Sequence, residues 1–502
     1  MKYLREFVNH SAYEAAKDSL ALPNVSFCVQ EEEVHYEPEV DYSSKYLTFR
    51  ATESGTFSFS GASGNESIDY SVDDGSTWET LSSGTESPSV GSGETILWKG
   101  ELLSSGSGGC GKFSSTGHFV AEGNPMSLMF GDNFIGQTDL TGHDGAFVAL
   151  FSSCSGLTSV ENMVLPATTL SNYPYYSMFY NCTSLTTPMK RLPAMTLTSQ
   201  CYTNMFNTCP ALTSTPELPA TTLGNSCYKA MFYGCSSLTS IPVLSATSVA
   251  DGAYWAMFNN CTGLVTVPDL IATSAKTSSY MQMFQGCTSL TTTPRIALSS
   301  IPQQCCASMF AGCTSLTAAT PISATSVDWK ACEEMFSGCA SLTDMPELSP
   351  TTMYRECYAW MFKDCTSLTG VTVLSATSLH YECYKGMFYN CTALTAVPSN
   401  MLPATNVASG CCMSMFYNCT GITTAPDLPA TTIGQNCYNS MFYNCSSLAN
   451  VKCLATTEVS SATTNWLRNT AASGTFTKAA GASFWSEGPN GIPEGWTVVE
   501  AS

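Results

Sequence analysis

Charged side chains are scarce in this chain of 502 residues, since Lys, Arg, Asp and Glu together make up 12% of it. Bases are the scarcer kind, with 19 Lys and Arg against 39 Asp and Glu, and the net charge is −20. The first 150 residues hold 22 of the acids and 7 of the bases. Nucleic-acid binding needs a basic surface, and an anionic membrane surface repels an acidic protein. The composition therefore predicts no nucleic-acid partner and no membrane insertion.

Long apolar runs are also missing from the sequence. No window approaches the roughly 18 uncharged apolar residues of a membrane-spanning helix. Residues 1–27 contain Lys2, Arg5, Glu6 and Lys17, and they lack the apolar core of about 7–15 residues that marks a signal peptide. We therefore expect a protein made in a cytoplasm, with reduced thiols, that leaves it, if at all, by a route other than an ordinary signal sequence.

The usual catalytic constellations are absent as well. The five histidines show no metal-ligand spacing, and the sequence has no Gly-x-Ser-x-Gly, no His-Glu-x-x-His and no phosphate-binding loop. Carboxylate pairs such as Glu333 and Glu334 are neighbours in sequence rather than partners across a cleft. The sequence predicts no enzyme, no cofactor and no metal site.

Cysteine, by contrast, is abundant and periodic. The chain has 25 cysteines, and twelve of them close a Phe-x-x-Cys motif. The first copy is Phe151 with Cys154, the last is Phe442 with Cys445, and the commonest spacing between copies is 26 residues. A period in this range predicts a solenoid, in which each coil completes the core of its neighbours.

Residues 225–250 show what one coil contains. Cys227, Met231 and Cys235 recur at every fourth position after the N-cap residue types Asn225 and Ser226, which predicts one or two helical turns. A short extended stretch, residues 238–244, follows. The predicted fold is therefore an α/β solenoid of about twelve 26-residue leucine-rich-type coils.

The regions that flank the repeat have other patterns. Residues 1–45 combine a short amphipathic helix with an acidic stretch, and we interpret them as an N-terminal anchoring segment. Residues 46–100 alternate in strand fashion and predict a small β-sandwich-like domain, and residues 101–146 predict a β-rich connector and N-terminal cap. The solenoid follows over residues 147–455, and the aromatic residues of 456–502 predict a C-terminal cap.

The repeat resembles the BspA-like leucine-rich repeat over residues 147–455. The pattern Phe-x-x-Cys-x-x-Leu, followed by Pro, carries the resemblance, as in Phe206 to Pro216. Two features depart from that family: Met precedes Phe in eleven of the twelve copies, and the coil is slightly longer than usual. The resemblance implies a solenoid of surface and adhesive proteins rather than a catalytic fold.

The flanks carry a second resemblance. Residues 4–7, 13–14 and 34–36 (Leu-Arg-Glu-Phe, Tyr-Glu and Val-His-Tyr) look like an N-terminal segment of several proteins of crAss-like phages of gut Bacteroidales. The tail, residues 491–498, is similar to the caps that follow such repeats in those phages and their hosts. This resemblance implies a virion protein, assembled in the host cytoplasm and held by its N-terminal region to other virion proteins of a head or tail.

The cysteines admit three interpretations: a soft-metal site, a disulfide ladder or small buried hydrophobes. Parallel side chains in a stacked column suit neither tetrahedral zinc nor the disulfide torsion of about 90°. We therefore expect inert, buried thiols in the Phe-x-x-Cys column and at the second cysteine eight residues before it, as at Cys227.

Two columns of variable residues are candidate ligand-binding positions. The first lies two residues before each thiol and the second lies between the Pro and Leu of each coil. In the first column tyrosine is frequent, and it suits sugar or protein contacts because it combines an apolar ring with a polar tip. The tyrosines seven residues before the thiol are expected in the core instead. The candidate binding residues are Tyr180, Tyr233, Tyr389, Tyr417, Tyr443, Glu217, Asp269, Glu347 and Asp427.

Three hypotheses on function follow. The first is a non-enzymatic phage virion protein whose solenoid recognises a host-surface protein or polysaccharide, with self-association left open. The second is a bacterial cell-surface adhesin of the BspA-like class. The third is an enzyme whose site lies in residues 46–146.

Overall fold

The fold was analysed in a computed structural model, which describes residues 40–64, 66–103, 109–457 and 461–501. The chain divides into two units, Met1–Asp41 and Tyr42–Ser502, and the following description concerns the second. Most of the predicted anchoring segment, residues 1–39, lies outside the described residues. None of the helices in the described ranges is long and apolar enough to cross a membrane.

A small β region precedes the solenoid, as predicted. Its five-stranded antiparallel part has the order β4-β3-β5-β1-β7, and β2 pairs with β6 beside it. Phe49 is fully buried at its centre, where its ring meets those of Phe57, Trp98 and Phe113. Strands from both predicted segments, 46–100 and 101–146, interleave here. The strands are β1 (Leu47–Ala51), β2 (Phe57–Gly61), β3 (Ser67–Ser71), β4 (Glu79–Ser82), β5 (Thr95–Lys99), β6 (Gly111–Ser115) and β7 (Phe119–Glu122).

The β region continues directly into the solenoid. Strand β7 pairs in parallel with β8 (Leu157–Ser159), and the ring of Phe113 stacks on Phe151 in the first coil. The first coil is therefore covered by the apolar face of the β region rather than left open to solvent.

The repeat forms a parallel β-solenoid of about ten turns with a period of 26 residues. Most coils contribute a two-residue strand that pairs in parallel with the same position of a neighbouring coil, in sheets of two or three strands. The first and last of the twelve motif copies pair with the flanking regions instead: β8 pairs with β7, and residues 450–453 pair with residues 475–478. The strands are β9 (Ser248–Val249), β10 (Ser274–Ala275), β11 (Ser300–Ile301), β12 (Ser326–Val327), β13 (Thr352–Met353), β14 (Ser378–Leu379), β15 (Asn406–Val407) and β16 (Thr432–Ile433).

The prediction of helical turns in each coil is wrong, and the α/β label is not confirmed, because helix content is low. Within the described residues one α-helix forms, α1 (Ser127–Phe130), and it lies before the solenoid. In the coil that begins at residue 225, positive φ angles recur at every fourth residue, with 54° at Ser226, 49° at Ala230 and 70° at Gly234. A right-handed helix excludes such angles, so the segment is a succession of tight turns.

The hydrogen bonds of these turns explain why they resemble a helix in sequence. The amide of Lys229 donates to Ser226 O three residues back, whereas the next amide, of Ala230, donates to Trp255 O in the following coil. This alternation continues along the segment, so half of the amides join neighbouring coils. Turns that repeat every four residues place residues i and i+4 on one face, as a helix does. The apolar pattern at Met231 and Cys235 therefore fits both structures.

Two stacked columns of rings fill the core. The phenylalanines of the motif stack from Phe151 to Phe442, with centroids 5.2–5.8 Å apart and planes within 1–14° of parallel. The tyrosines seven residues before the thiol form the second column, and their burial confirms the prediction. They are Tyr202, Tyr228, Tyr254, Tyr280, Tyr358, Tyr384 and Tyr438, joined by Tyr175, and cysteine replaces the ring at positions 306, 332 and 412.

The C-terminal residues continue this stack. Strands β17 (Asn450–Cys453), β18 (Thr475–Lys478) and β19 (Thr497–Glu500) form a parallel sheet. Trp466 is fully buried and places its indole on Tyr438 and on Trp485, with centroids 6.3 and 5.5 Å apart. Large aromatic rings thus cover the last tyrosine of the buried column.

Candidate recognition surface

Three of the predicted binding tyrosines form a continuous stack on the surface, which we call the tyrosine ladder: Tyr389, Tyr417 and Tyr443. Ring centroids are 4.6 Å apart for the first pair and 4.8 Å for the second, with planes 9° and 4° from parallel. All three side chains are half-buried. The spacing equals the distance between neighbouring strands, so coil stacking alone brings these rings into contact.

Residues that the sequence analysis missed lie at both ends of the tyrosine ladder. The Trp360 indole meets the Tyr389 ring edge-on at 5.5 Å, and the Arg468 guanidinium lies 6.0 Å from the centre of the Tyr443 ring. Trp360 fits closely over Gly386 in the next coil, where an added Cβ would lie 2.1 Å from the indole. In the sequence, Gly386 is the signal that could have revealed the position of Trp360, because a residue without a side chain leaves room for the indole.

A row of amides runs beside the tyrosine ladder. Asn418 Nδ2 donates to Asn390 Oδ1 at 2.6 Å, and Asn390 Nδ2 donates to Asp364 Oδ1 at 2.8 Å. Each Asn directly follows a ladder tyrosine and has a positive φ, 61° at Asn390 and 59° at Asn418. Asparagine tolerates this conformation, and its side chain links the coils. The amide row thereby holds the tyrosines in register.

The other two predicted tyrosines stand apart in the same column. Tyr180 is 39% exposed, and the next coil has Asn207 at that position. The hydroxyl of Tyr233 accepts a hydrogen bond from Asn260 Nδ2 at 3.2 Å. The structure therefore brings together the three C-terminal members of the column and leaves Tyr180 and Tyr233 as separate side chains.

The predicted acidic residues lie on the strand side of the coils, and three of the four contact neighbouring coils. Glu217 faces Arg191 at 3.8 Å, and Asp427 pairs with Lys452 at 2.7 Å. Asp269 Oδ1 accepts a hydrogen bond from a backbone amide of the next coil at 2.9 Å. Glu347 is exposed. These carboxylates follow the ladder position by about ten residues within each coil, and three of the four take part in joining coils.

The thiols of the Phe-x-x-Cys column are hydrogen-bond donors to the neighbouring coil. Eleven of them, Cys182 to Cys445, donate to the Phe carbonyl of the preceding coil at 3.0–3.2 Å. Burial raises the pKa of Cys313 to about 12, so this thiol stays protonated. A buried S–H thus stabilises the stacking of each coil.

At one place thiols converge, contrary to the expectation from parallel columns. The Sγ atoms of Cys411, Cys412 and Cys437 lie within 4.8 Å of one another, and all three residues are buried. Such a group has the donor type and spacing for a soft metal ion. The sequence analysis missed it because the predicted helical face treats every coil alike.

Three solved structures are similar to this chain over part of its length. A leucine-rich repeat protein from Bacteroides ovatus is 17% identical over 61% of this chain and 81% of its own, with a TM-score of 0.25. TLR13 in a complex with ssRNA13 is 13% identical over 64% of this chain and 46% of its own, with a TM-score of 0.26. An internalin from Listeria monocytogenes is 12% identical over 54% and 75%, with a TM-score of 0.22. No curated protein matches the sequence.

The family model of the BspA type leucine rich repeat region matches residues 149–291, 200–343, 301–448 and 384–479. These matches overlap and together cover more than half of the chain. Repeats of this class typically serve as binding or scaffold modules. The 26-residue period, the buried phenylalanine column and this match lead to one conclusion: the chain belongs to the BspA-type leucine-rich repeat family.

Proposed function

We propose that this chain is a non-enzymatic virion protein of a crAss-like phage, and that its solenoid recognises a host-surface protein or polysaccharide through the tyrosine ladder. The observation that carries the recognition role is the stack of Tyr389, Tyr417 and Tyr443 on the surface of a repeat-family solenoid. Its ends, Trp360 and Arg468, extend the same surface.

The stacking decides how a ligand approaches. Because the rings cover one another's faces, Tyr417 has no free face on which a sugar ring could stack. What remains for a ligand is a row of ring edges and phenolic hydroxyls, repeated about every 4.7 Å. Burial and the neighbouring phenols of Tyr389 and Tyr443 raise the pKa of Tyr417, so its hydroxyl is a neutral donor and acceptor. An extended ligand with repeating polar groups, such as a polysaccharide or a peptide strand, matches this row.

The test of recognition replaces the hydroxyls and keeps the rings. Tyr389, Tyr417 and Tyr443 are changed together to Phe in the full chain, and binding to Bacteroidales cells and to their purified surface polysaccharide is measured. We expect binding to fall at least about tenfold, since each hydrogen bond contributes about 1 kcal/mol. The matched control changes Tyr180 and Tyr233 to Phe in the same column and keeps binding. Unchanged binding by the triple variant would refute the role of the ladder.

The virion part of the proposal rests on the flanking resemblance and on the charge distribution. Residues 1–150 hold 22 acids and 7 bases, which suits docking to a positively charged partner such as another virion protein. Copurification of the protein with phage particles on a density gradient is the expected result. Its presence on intact bacterial cells alone would favour the second candidate, a cell-surface adhesin, with which the family match agrees equally well.

A further inference from the structure

The three converging thiols come from two neighbouring coils. Cys411 and Cys412 are adjacent in one coil, and Cys437 takes the position of Cys411 in the next. The Sγ atom of Cys411 lies 3.6 Å from that of Cys412 and 3.1 Å from that of Cys437. All three side chains are at most 1% exposed. The cluster is therefore enclosed by the solenoid core.

The local sequence explains why space exists at this place. Position 412 belongs to the buried tyrosine column, whose members in the coils before and after it are Tyr384 and Tyr438. Cysteine replaces the phenol ring there, as it also does at Cys306 and Cys332, so a small side chain stands where both neighbouring coils hold a large one. The sulfur of Cys412 can then share the interior with those of Cys411 and Cys437.

A second pair of adjacent cysteines shows what the cluster needs. Cys305 and Cys306 occupy the same two positions in an earlier coil, and both are buried. In the coil that follows them, Ala331 stands where the other cluster has Cys437. Within the described residues the converging triad forms only at Cys411, Cys412 and Cys437.

The donor atoms select the kind of ligand. Three sulfurs without nitrogen or oxygen donors favour soft ions such as Zn²⁺ and Cu⁺. Metal–sulfur bonds of about 2.3 Å in a plane would place the sulfurs about 4 Å apart, so the observed separations of 3.6 and 3.1 Å need only small rotations of the side chains.

We propose that Cys411, Cys412 and Cys437 bind one thiophilic d¹⁰ metal ion that joins two neighbouring coils. The ion forms three metal–sulfur bonds, and each thiol that binds as thiolate releases its proton to solvent. No electron is transferred. The site is independent of the tyrosine ladder.

The test measures metal content of the full chain, purified under reducing, oxygen-free conditions and dialysed against Zn²⁺ in one arm and Cu⁺ in the other. We expect one ion per chain in at least one arm, and its loss in Cys437→Ala. Alanine at the equivalent position 331 indicates that this change is compatible with the fold, and a thermal melt of the variant checks it. The matched control, Cys305→Ala with Cys306→Ala, keeps the ion.

A gain-of-site variant makes the test independent of any loss of stability. Ala331→Cys completes the triad with Cys305 and Cys306, and we expect it to bind a second ion. Binding of no ion in either arm, or equal metal content in the wild type and Cys437→Ala, would overturn the proposal. So would an intact mass lower by two hydrogens, with a Cys411–Cys437 crosslinked peptide and no bound ion.

Discussion

The buried phenylalanine column and the tyrosine ladder are built by the same repetition, yet their surroundings differ. Rings of the Phe column are 5.2–5.8 Å apart and fully enclosed, whereas the ladder rings are 4.6–4.8 Å apart and half-buried. Inside, each ring fills volume and its loss leaves a cavity. Outside, the same stacking leaves edges and hydroxyls free for a ligand. We therefore expect the inner column to stabilise the fold, and the outer one is the surface that we propose for recognition.

The largest expected effect comes from raising the pH, which acts on the buried thiols beside the Phe column. Burial raises the pKa of Cys313 and Cys365 from 9.0 to about 12. A raised pKa in the folded state means that stability is complete below pH 9 and declines between pH 9 and 12, as the unfolded chain alone releases protons. In this range each such thiol lowers the free energy of unfolding by about 1.4 kcal/mol per pH unit.

Urea unfolding at pH 8, 9 and 10 measures this decline, and the midpoint should drop steeply above pH 9. Buried tyrosines act in the same direction at higher pH, because burial also raises the pKa of Tyr228. A midpoint that stays constant from pH 8 to 10 would contradict the enclosed position of the thiols.

Next in size is the loss of one ring from the middle of the Phe column. Phe310 stacks on Phe284 and Phe336 at 5.7 and 5.6 Å and is fully buried. We expect Phe310→Ala to reduce the free energy of unfolding by about 3–5 kcal/mol, because the cavity adds to the lost burial. Chemical denaturation followed by circular dichroism measures it. If Phe310→Ala reduced the free energy of unfolding no more than Tyr417→Ala does, the inner column would contribute no more to stability than the ladder, contrary to our expectation.

A smaller effect is expected at the thiol donors. Cys313→Ala removes the 3.2 Å hydrogen bond from Sγ to Phe284 O and leaves a small void. The same carbonyl also accepts the Cys287 amide at 3.2 Å, so it keeps one partner. We expect a loss of about 1 kcal/mol in unfolding free energy. A loss as large as that of Phe310→Ala would show that the thiol, rather than the ring, dominates the core.

The smallest effect on stability is expected at the tyrosine ladder. Tyr417→Ala removes two half-exposed stacking contacts, which we expect to cost about 1 kcal/mol or less. Tyr417→Phe keeps both contacts and should leave the unfolding midpoint unchanged. Host binding should fall in both variants, which separates recognition from stability. If Tyr417→Ala lowered the free energy of unfolding by several kcal/mol, the ladder would be a structural column like the inner one.

Much of this arrangement follows from sequence periodicity, as particular residues show. The period predicts that Phe310 and Phe336 lie in a core shared between coils, and the offset of Tyr228 from its thiol predicts a core position as well; their burial confirms both predictions. The stacking of the phenylalanine rings on one another is seen only in the structure. Alternating residues in 46–100 predict β structure, which is confirmed as well. The predicted helical turns are not confirmed. Turns that repeat every four residues, as at Ser226 and Ala230, produce the same i, i+4 pattern as a helix.

The sequence by itself determined the period and which residues of each coil lie inside, because polarity and position within the repeat together decide burial once the chain repeats. Only the tertiary structure decided where half of the turn amides find acceptors, as Ala230 does in the next coil. It also decided that Tyr389, Tyr417 and Tyr443 touch and that Cys437 meets Cys411. These contacts join residues about 26 positions apart, and their distances depend on how coils stack rather than on any local pattern.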